Sequence, residues 1–250
     1  MSTKLILNYS PNFNLKKRNN KQIKFLIFHY TGMKNENQAI NRLTSYKSSV
    51  SSNYFIKRNG DVIVLVPNLY IAWHAGKSYW KKFKNLNKNS IGIEISNPGH
   101  EYNYTQFSKK QIKSILKLSK LLITKYKINQ NNILGHSDIA PSRKKDPGEK
   151  FPWKFFAKKK IGIWHSLSEN VLKKNRLKLI NAKSKEIFFK NLSKIGYSTY
   201  KTTNKKKEDF NVLLIKAFQR RFRQKLINGK IDKECYLISE NIAKKSIKIS

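Results

Sequence analysis

The chain has 250 residues, 39% hydrophobic and 12% aromatic, enough to bury a real core and too apolar for an intrinsically disordered polymer. Lysine and arginine total 53 against 14 aspartates and glutamates, and this formal charge of +39 invites a polyanionic partner. One cysteine, Cys235, excludes an internal disulfide and a multi-cysteine zinc knuckle. The cations are mostly lysine, accompanied by many Asn and Ile, so the charge reflects compositional drift as readily as a selected binding face. They are scattered rather than interleaved with aromatics, and no specific nucleic-acid partner is expected. No stretch approaches the roughly 18 apolar residues of a membrane helix.

In chain order, Ile23 to Phe28 is a short apolar run that reads as a buried strand ending on His29. Ala39, Ile40, Leu43 and Tyr46 recur at helical spacing behind Asn35 to Asn37. NYFIKR (53–58) and DVIVLV (61–66) flank Asn59-Gly60, which predicts a hairpin with a type I′ turn. SIGIEIS (90–96) alternates, with Ile91, Ile93 and Ile95 on one face and Gly92 and Glu94 on the other. Residues 109–126 carry the clearest helical stripe, opened by a Ser108/Gln111 capping box. NNILG (131–135) reads as a strand ending on His136, and the Pro/Gly-rich segment to Trp153 as loop. Strands and helices thus alternate to about residue 165, which predicts an α/β domain with a mixed central sheet flanked by helices. Residues 166–182 read as a linker, and 183–250 as a small domain of three helices with little core of its own.

His29 and His136 both follow predicted strands, where open α/β sheets gather functional groups. Asp146 lies in the loop after His136 and can return its carboxylate toward the imidazole. Two histidines and one carboxylate form a known catalytic zinc set.

The strand end IFHYTG (27–32), the hairpin, AWHAG (72–76), NSIGIEISNPG (89–99) and GHSDIAPSRKKDPGEKFPW (135–153) together resemble the amidase-2 family of zinc-dependent N-acetylmuramoyl-L-alanine amidases. The likeness is to the bacterial cell-wall-recycling and outer-membrane branch. The resemblance implies Zn2+ held by His29, His136 and Asp146, with Glu94 as the catalytic carboxylate and Lys144 stabilising the oxyanion. Trp73 and His74 match positions that line the family's substrate cleft. His100 and His165 match nothing and are expected at the surface. The implied reaction cuts the amide between N-acetylmuramic acid, or its 1,6-anhydro form, and L-alanine in peptidoglycan or muropeptides.

LSKIGY (192–197), AFQRRF (217–222) and NGKID (228–232) resemble a three-helix peptidoglycan-binding domain, with Asn228 where that module often has Asp. The same fold also serves non-catalytic peptidoglycan receptors, but those usually lack the full set of His29, His136, Asp146 and Glu94. The opening segment has an apolar run of only three residues before Asn8, which implies a leaderless cytoplasmic protein. A wall-binding module would instead imply the periplasm. Oligomeric state has no sequence signal.

Overall fold

In the computed structural model, which describes residues 4–198 and 205–249, the N-terminal part is built on one six-stranded mixed sheet. The strands in chain order are β1 (Leu5–Leu7), β2 (Phe13–Asn14), β3 (Phe25–Tyr30), β4 (Tyr54–Ile56), β5 (Val62–Val64), β6 (Ile71–Ala72), β7 (Tyr79–Trp80), β8 (Phe83–Lys84), β9 (Ser90–Ile95) and β10 (Ile133–Gly135). The main sheet runs β1-β5-β4-β9-β3-β10, parallel throughout except for the β4–β5 hairpin. Two adjacent interior strands, β3 and β9, are buried on both faces, which explains the apolar run FLIF and the glycine in SIGIEI.

The 53–66 hairpin forms, but its turn differs from the expected type I′. Only Gly60 has positive φ (+89°), and its N–H donates to the Lys57 carbonyl at 2.9 Å. This is a type I turn with a glycine bulge, which needs left-handed geometry at Gly60 and not at Asn59. Helix α1 (Glu36–Thr44) starts where Asn35 caps it and ends before Tyr46, which is 83% exposed. Helix α2 (Lys109–Tyr126) opens with the predicted Ser108/Gln111 capping box. Its Ile115 and Leu122 pack on the sheet face carrying Leu26, Phe28, Ile91 and Ile93.

The loop after β10 is more ordered than its Pro/Gly content implies, with short helices α3 (His136–Ile139) and α4 (Trp153–Lys158). The stretch read as a linker carries helix α5 (Glu169–Asn175), whose Leu172 is buried. Helices α6 (Ala182–Ile195), α7 (Lys205–Phe222) and α8 (Lys233–Ile249) follow. Phe188, Leu192, Phe218 and Ile238 of this bundle share one apolar cluster with Phe25 and Ile27 of β3 and Leu134 of β10. The expected lack of an independent core is thus met by burying the bundle against the sheet.

Two C-terminal motifs are internal staples of the bundle. The Gln219 amide reaches Asn228 Oδ1 and the Lys230 carbonyl, and accepts from the Gly229 N–H. Asp232 accepts from Arg223 at 2.7 Å and from the backbone N–H groups of Leu177 and Cys235. Among the described residues no helix is long and apolar enough to cross a membrane.

Candidate active site

His29 on β3 and Glu94 on β9 are register partners in the parallel pair, so both side chains leave the sheet on the face opposite α2. His136 opens α3 directly after β10, the other neighbour of β3. The Ser137 N–H donates to the Asp146 carbonyl at 2.9 Å, which folds the loop back and delivers Asp146 to the two imidazoles.

The result is a closed triangle of ligand-type atoms. His29 Nδ1 lies 2.9 Å from His136 Nδ1 and 3.0 Å from Asp146 Oδ2, and His136 Nδ1 lies 3.1 Å from the same oxygen. All three residues are buried, and together they could hold a metal ion. Tetrahedral zinc with bonds of about 2 Å spaces its ligand atoms by about 3.3 Å, close to this triangle. The donor chemistry agrees. The His136 Nε2 lies 3.1 Å from the Ala75 carbonyl and 3.3 Å from the Arg143 guanidinium; a proton donated to the carbonyl leaves the lone pair of Nδ1 for a metal.

The electrostatics of the cluster also suit a cation. Burial and the neighbouring His136 push the His29 imidazole down to about 4. Burial raises the Asp146 carboxyl, but His136 and His29 beside it more than offset this and hold it well below the carboxylate range. Both groups therefore remain in their ligating forms at neutral pH. Glu94 is pushed the other way, well above its ordinary value, by burial first and then by the Asp146 carboxylate, with Lys144 opposing. Its Oε2 is buried and has no hydrogen-bond partner among the described residues. An orphaned carboxylate oxygen beside a ligand triangle suits proton transfer to a reactant in the cleft.

Of the three consecutive cations 143–145, Arg143 is tied down. Its guanidinium donates to the carbonyls of Ala75 and Lys77. Lys144 lines the cleft together with Glu94, and its charge acts on both Glu94 and His29. The cleft above has a volume of ≈ 420 Å³ and is lined in part by Tyr30, Met33, Leu43, Trp73, Glu94 and Lys144. Trp73 anchors its indole N–H on Asn14 Oδ1 at 2.6 Å and keeps its ring at the cleft wall. His74 also borders the cleft, but both its ring nitrogens are used internally, by His29 at 3.0 Å and Ser90 at 3.2 Å.

His100 departs from its expected surface place. It lines the cleft, with Nδ1 2.8 Å from the Tyr30 hydroxyl and Nε2 donating to Glu149 at 3.0 Å. His100 is half-buried, and His165 is buried at 7% exposure.

Residues 19–149, more than half of the chain, match the N-acetylmuramoyl-L-alanine amidase family. The chain belongs to this family. The amidase is 34% identical over 237 residues to N-acetylmuramoyl-L-alanine amidase AmiD of Escherichia coli K12, covering 90% of the chain and 83% of that protein. It is 38% identical over 108 residues to 1,6-anhydro-N-acetylmuramyl-L-alanine amidase AmpD of Enterobacter cloacae, covering 43% of the chain and 56% of that relative. The solved structure of E. coli AmiD, in complex with the substrate anhydro-N-acetylmuramic acid-L-Ala-D-gamma-Glu-L-Lys, superposes with a TM-score of 0.79 at 31% identity over 90% of both chains. Its coverage extends the likeness through the C-terminal helices of the amidase.

Those helices reach the cluster through Asp138. The Asp138 carboxylate accepts from Arg221 of α7 at 2.7 Å, from the Tyr197 hydroxyl at 2.6 Å and from the Gly135 N–H at 2.7 Å. Sequence reasoning missed Tyr30, His100, Ser90 and Arg221, since none carries a local signal and each acquires its role through a partner distant in the chain.

Proposed function

We propose that this amidase is a zinc hydrolase that cleaves the amide between the lactyl carbonyl of N-acetylmuramic acid, or its 1,6-anhydro form, and L-alanine. The observation that carries the reading is the buried triangle of His29, His136 and Asp146 beneath a cleft that also receives Glu94 and Lys144. Family membership supplies the reaction class, and muropeptides are the substrate class bound by the AmiD relative.

Zinc in this site supplies Lewis acidity for the amide carbonyl and for an attacking water. Glu94 takes a proton from that water as its oxygen bonds the carbonyl carbon. The Lys144 ammonium faces the charge that develops on the former carbonyl oxygen. Glu94 then returns the proton to the nitrogen of L-alanine as the C–N bond breaks, leaving a muramic carboxylate and a free peptide amine. Trp73 and the apolar Met33–Leu43 side of the cleft exclude water around the scissile bond and seat the sugar or the stem peptide.

In this reading the C-terminal helices support the metal loop. Of the motifs that carry their peptidoglycan-binding likeness, LSKIGY, AFQRRF and NGKID, the last two have Gln219 bonded to Asn228, and Asp232 bonded to Arg223. Cosedimentation of the full chain with insoluble murein tests any added wall affinity.

The test of function is mass spectrometry of products from an anhydromuramyl tripeptide and from intact sacculi. Release of free L-alanine-headed peptides, abolished by a zinc chelator and restored by Zn2+, is expected. Peptides cleaved elsewhere, or intact substrate after reconstitution, would overturn the assignment.

A further inference from the structure

Behind His29 lies a buried file of polar groups that the hydrolytic reaction does not use. Ser90 is fully buried at the start of β9, and its Oγ lies 2.6 Å from the Leu86 carbonyl. A carbonyl only accepts, so the hydroxyl proton is committed to Leu86. Toward its other neighbour, His74 Nε2 at 3.2 Å, Ser90 can therefore act only as an acceptor, and the His74 proton must sit on Nε2. Neutral His74 then has a bare Nδ1, which faces His29 Nε2 at 3.0 Å and accepts its proton. The last consequence falls at the cluster: His29 Nδ1 is left with an exposed lone pair, aimed at Asp146 and His136.

We propose that Ser90 and His74 are positioning residues that fix the tautomer of His29, so that its Nδ1 is bare and ready for the metal before any metal arrives. The inference rests on His29 being a metal ligand, as read above. It joins three separate sequence motifs, the His after β3, AWHAG and SIGIE, into one directional chain of hydrogen bonds that starts at a backbone carbonyl. It also accounts for Gly92. A Cβ there would lie 2.5 Å from His74 Cγ, so only glycine lets the His74 ring lie against β9 in line with Ser90 and His29. Ligating histidines commonly have their second nitrogen fixed by such an outer partner. Here the partner is another imidazole, which can accept or donate and is therefore directional only because Ser90 makes it so.

The test uses the full chain and Zn2+ alone. Long-range 1H–15N correlation spectra of the metal-free protein should show the Nε2-protonated tautomer for both His74 and His29. Competition against a chromogenic chelator should show zinc affinity lowered about ten- to a hundredfold by Ser90→Ala and by His74→Leu. His74→Asn, which restores an acceptor oxygen where Nδ1 stood, should bring affinity back to within about threefold of wild type. A proton on Nδ1 of His74, or unchanged zinc affinity in folded Ser90→Ala and His74→Leu, would overturn the proposal. Should either variant fail to fold, the wild-type spectrum still decides. Wild-type protein that binds no zinc would remove the metal reading instead, while the tautomers would still report on the chain of hydrogen bonds.

Discussion

Arg221 on α7 donates to Asp138 at 2.7 Å, and the two side chains are only 3% and 1% exposed. Asp138 stands two residues after His136, so the C-terminal bundle grips the loop that carries a metal-ligand candidate. The guanidinium also stacks on Trp153, with 3.8 Å from Cζ to the ring centroid, and donates to the Ile133 carbonyl. Removing one partner of a buried pair leaves the other charged and unpaired, at a cost of about 3–5 kcal/mol. Arg221→Met should lose stability of that order in urea unfolding and bind zinc less tightly. The double variant Arg221→Met/Asp138→Asn should regain part of the loss, and full additivity of the two single variants would argue against the grip.

The shared core makes a second prediction about the same helices. Ending the chain near residue 180 would uncover Phe25, Ile27 and Leu134, which are now covered by Phe188, Phe218 and their neighbours. The truncated amidase should be insoluble or lack cooperative unfolding. A soluble fragment that melts cooperatively and binds zinc would show that the sheet can do without the bundle.

Glu94 should separate function from stability. Glu94→Gln should retain zinc and lose about 10²–10⁴ in kcat, the usual contribution of a positioned base. The sign of its stability effect follows from burial. The folded carboxyl is held above its unfolded value, so wild type loses stability as pH rises through the raised value. Metal-free Glu94→Gln should therefore melt above metal-free wild type at pH 8, and the gap should close toward roughly pH 4, where the unfolded carboxyl also protonates. Thermal melts across that range decide it.

Lys144 and Lys145 provide an internal control of register. Lys144→Met should cost about 10²–10³ in kcat, the scale of a lost oxyanion donor, with zinc affinity close to wild type. Lys145 also lines the cleft, but Lys145→Met should change the rate little, because Lys144 is the lysine whose charge acts on both Glu94 and His29. Equal losses in the two variants would mean that general positive charge, and no specific ammonium, supports turnover.

What could be read from the sequence follows the range of each interaction. The strand holding Glu94 and the capping box of α2 depend on neighbours within a few residues, and both are as the pattern predicts. The turn at Gly60 departs from the expected type I′ because Asn-Gly fits either that turn or a glycine bulge, and the residue count of the loop decides between them. His29, His136 and Asp146 could be named from strand ends and motif resemblance, but their approach to within about 3 Å is a property of the β10–β3 pairing and the folded-back loop. Leu172 looked like linker because its apolar partners lie on other helices. His100 looked like a surface residue because Tyr30 and Glu149 are 70 and 49 positions away.

The most direct measurement is zinc stoichiometry on metal-stripped, reconstituted protein, comparing wild type with His136→Ala. One tightly held zinc per wild-type chain is expected, recovered together with muropeptide cleavage, and none in the variant. Wild-type protein that takes up no zinc, or that cleaves at full rate under chelation, would contradict that expectation.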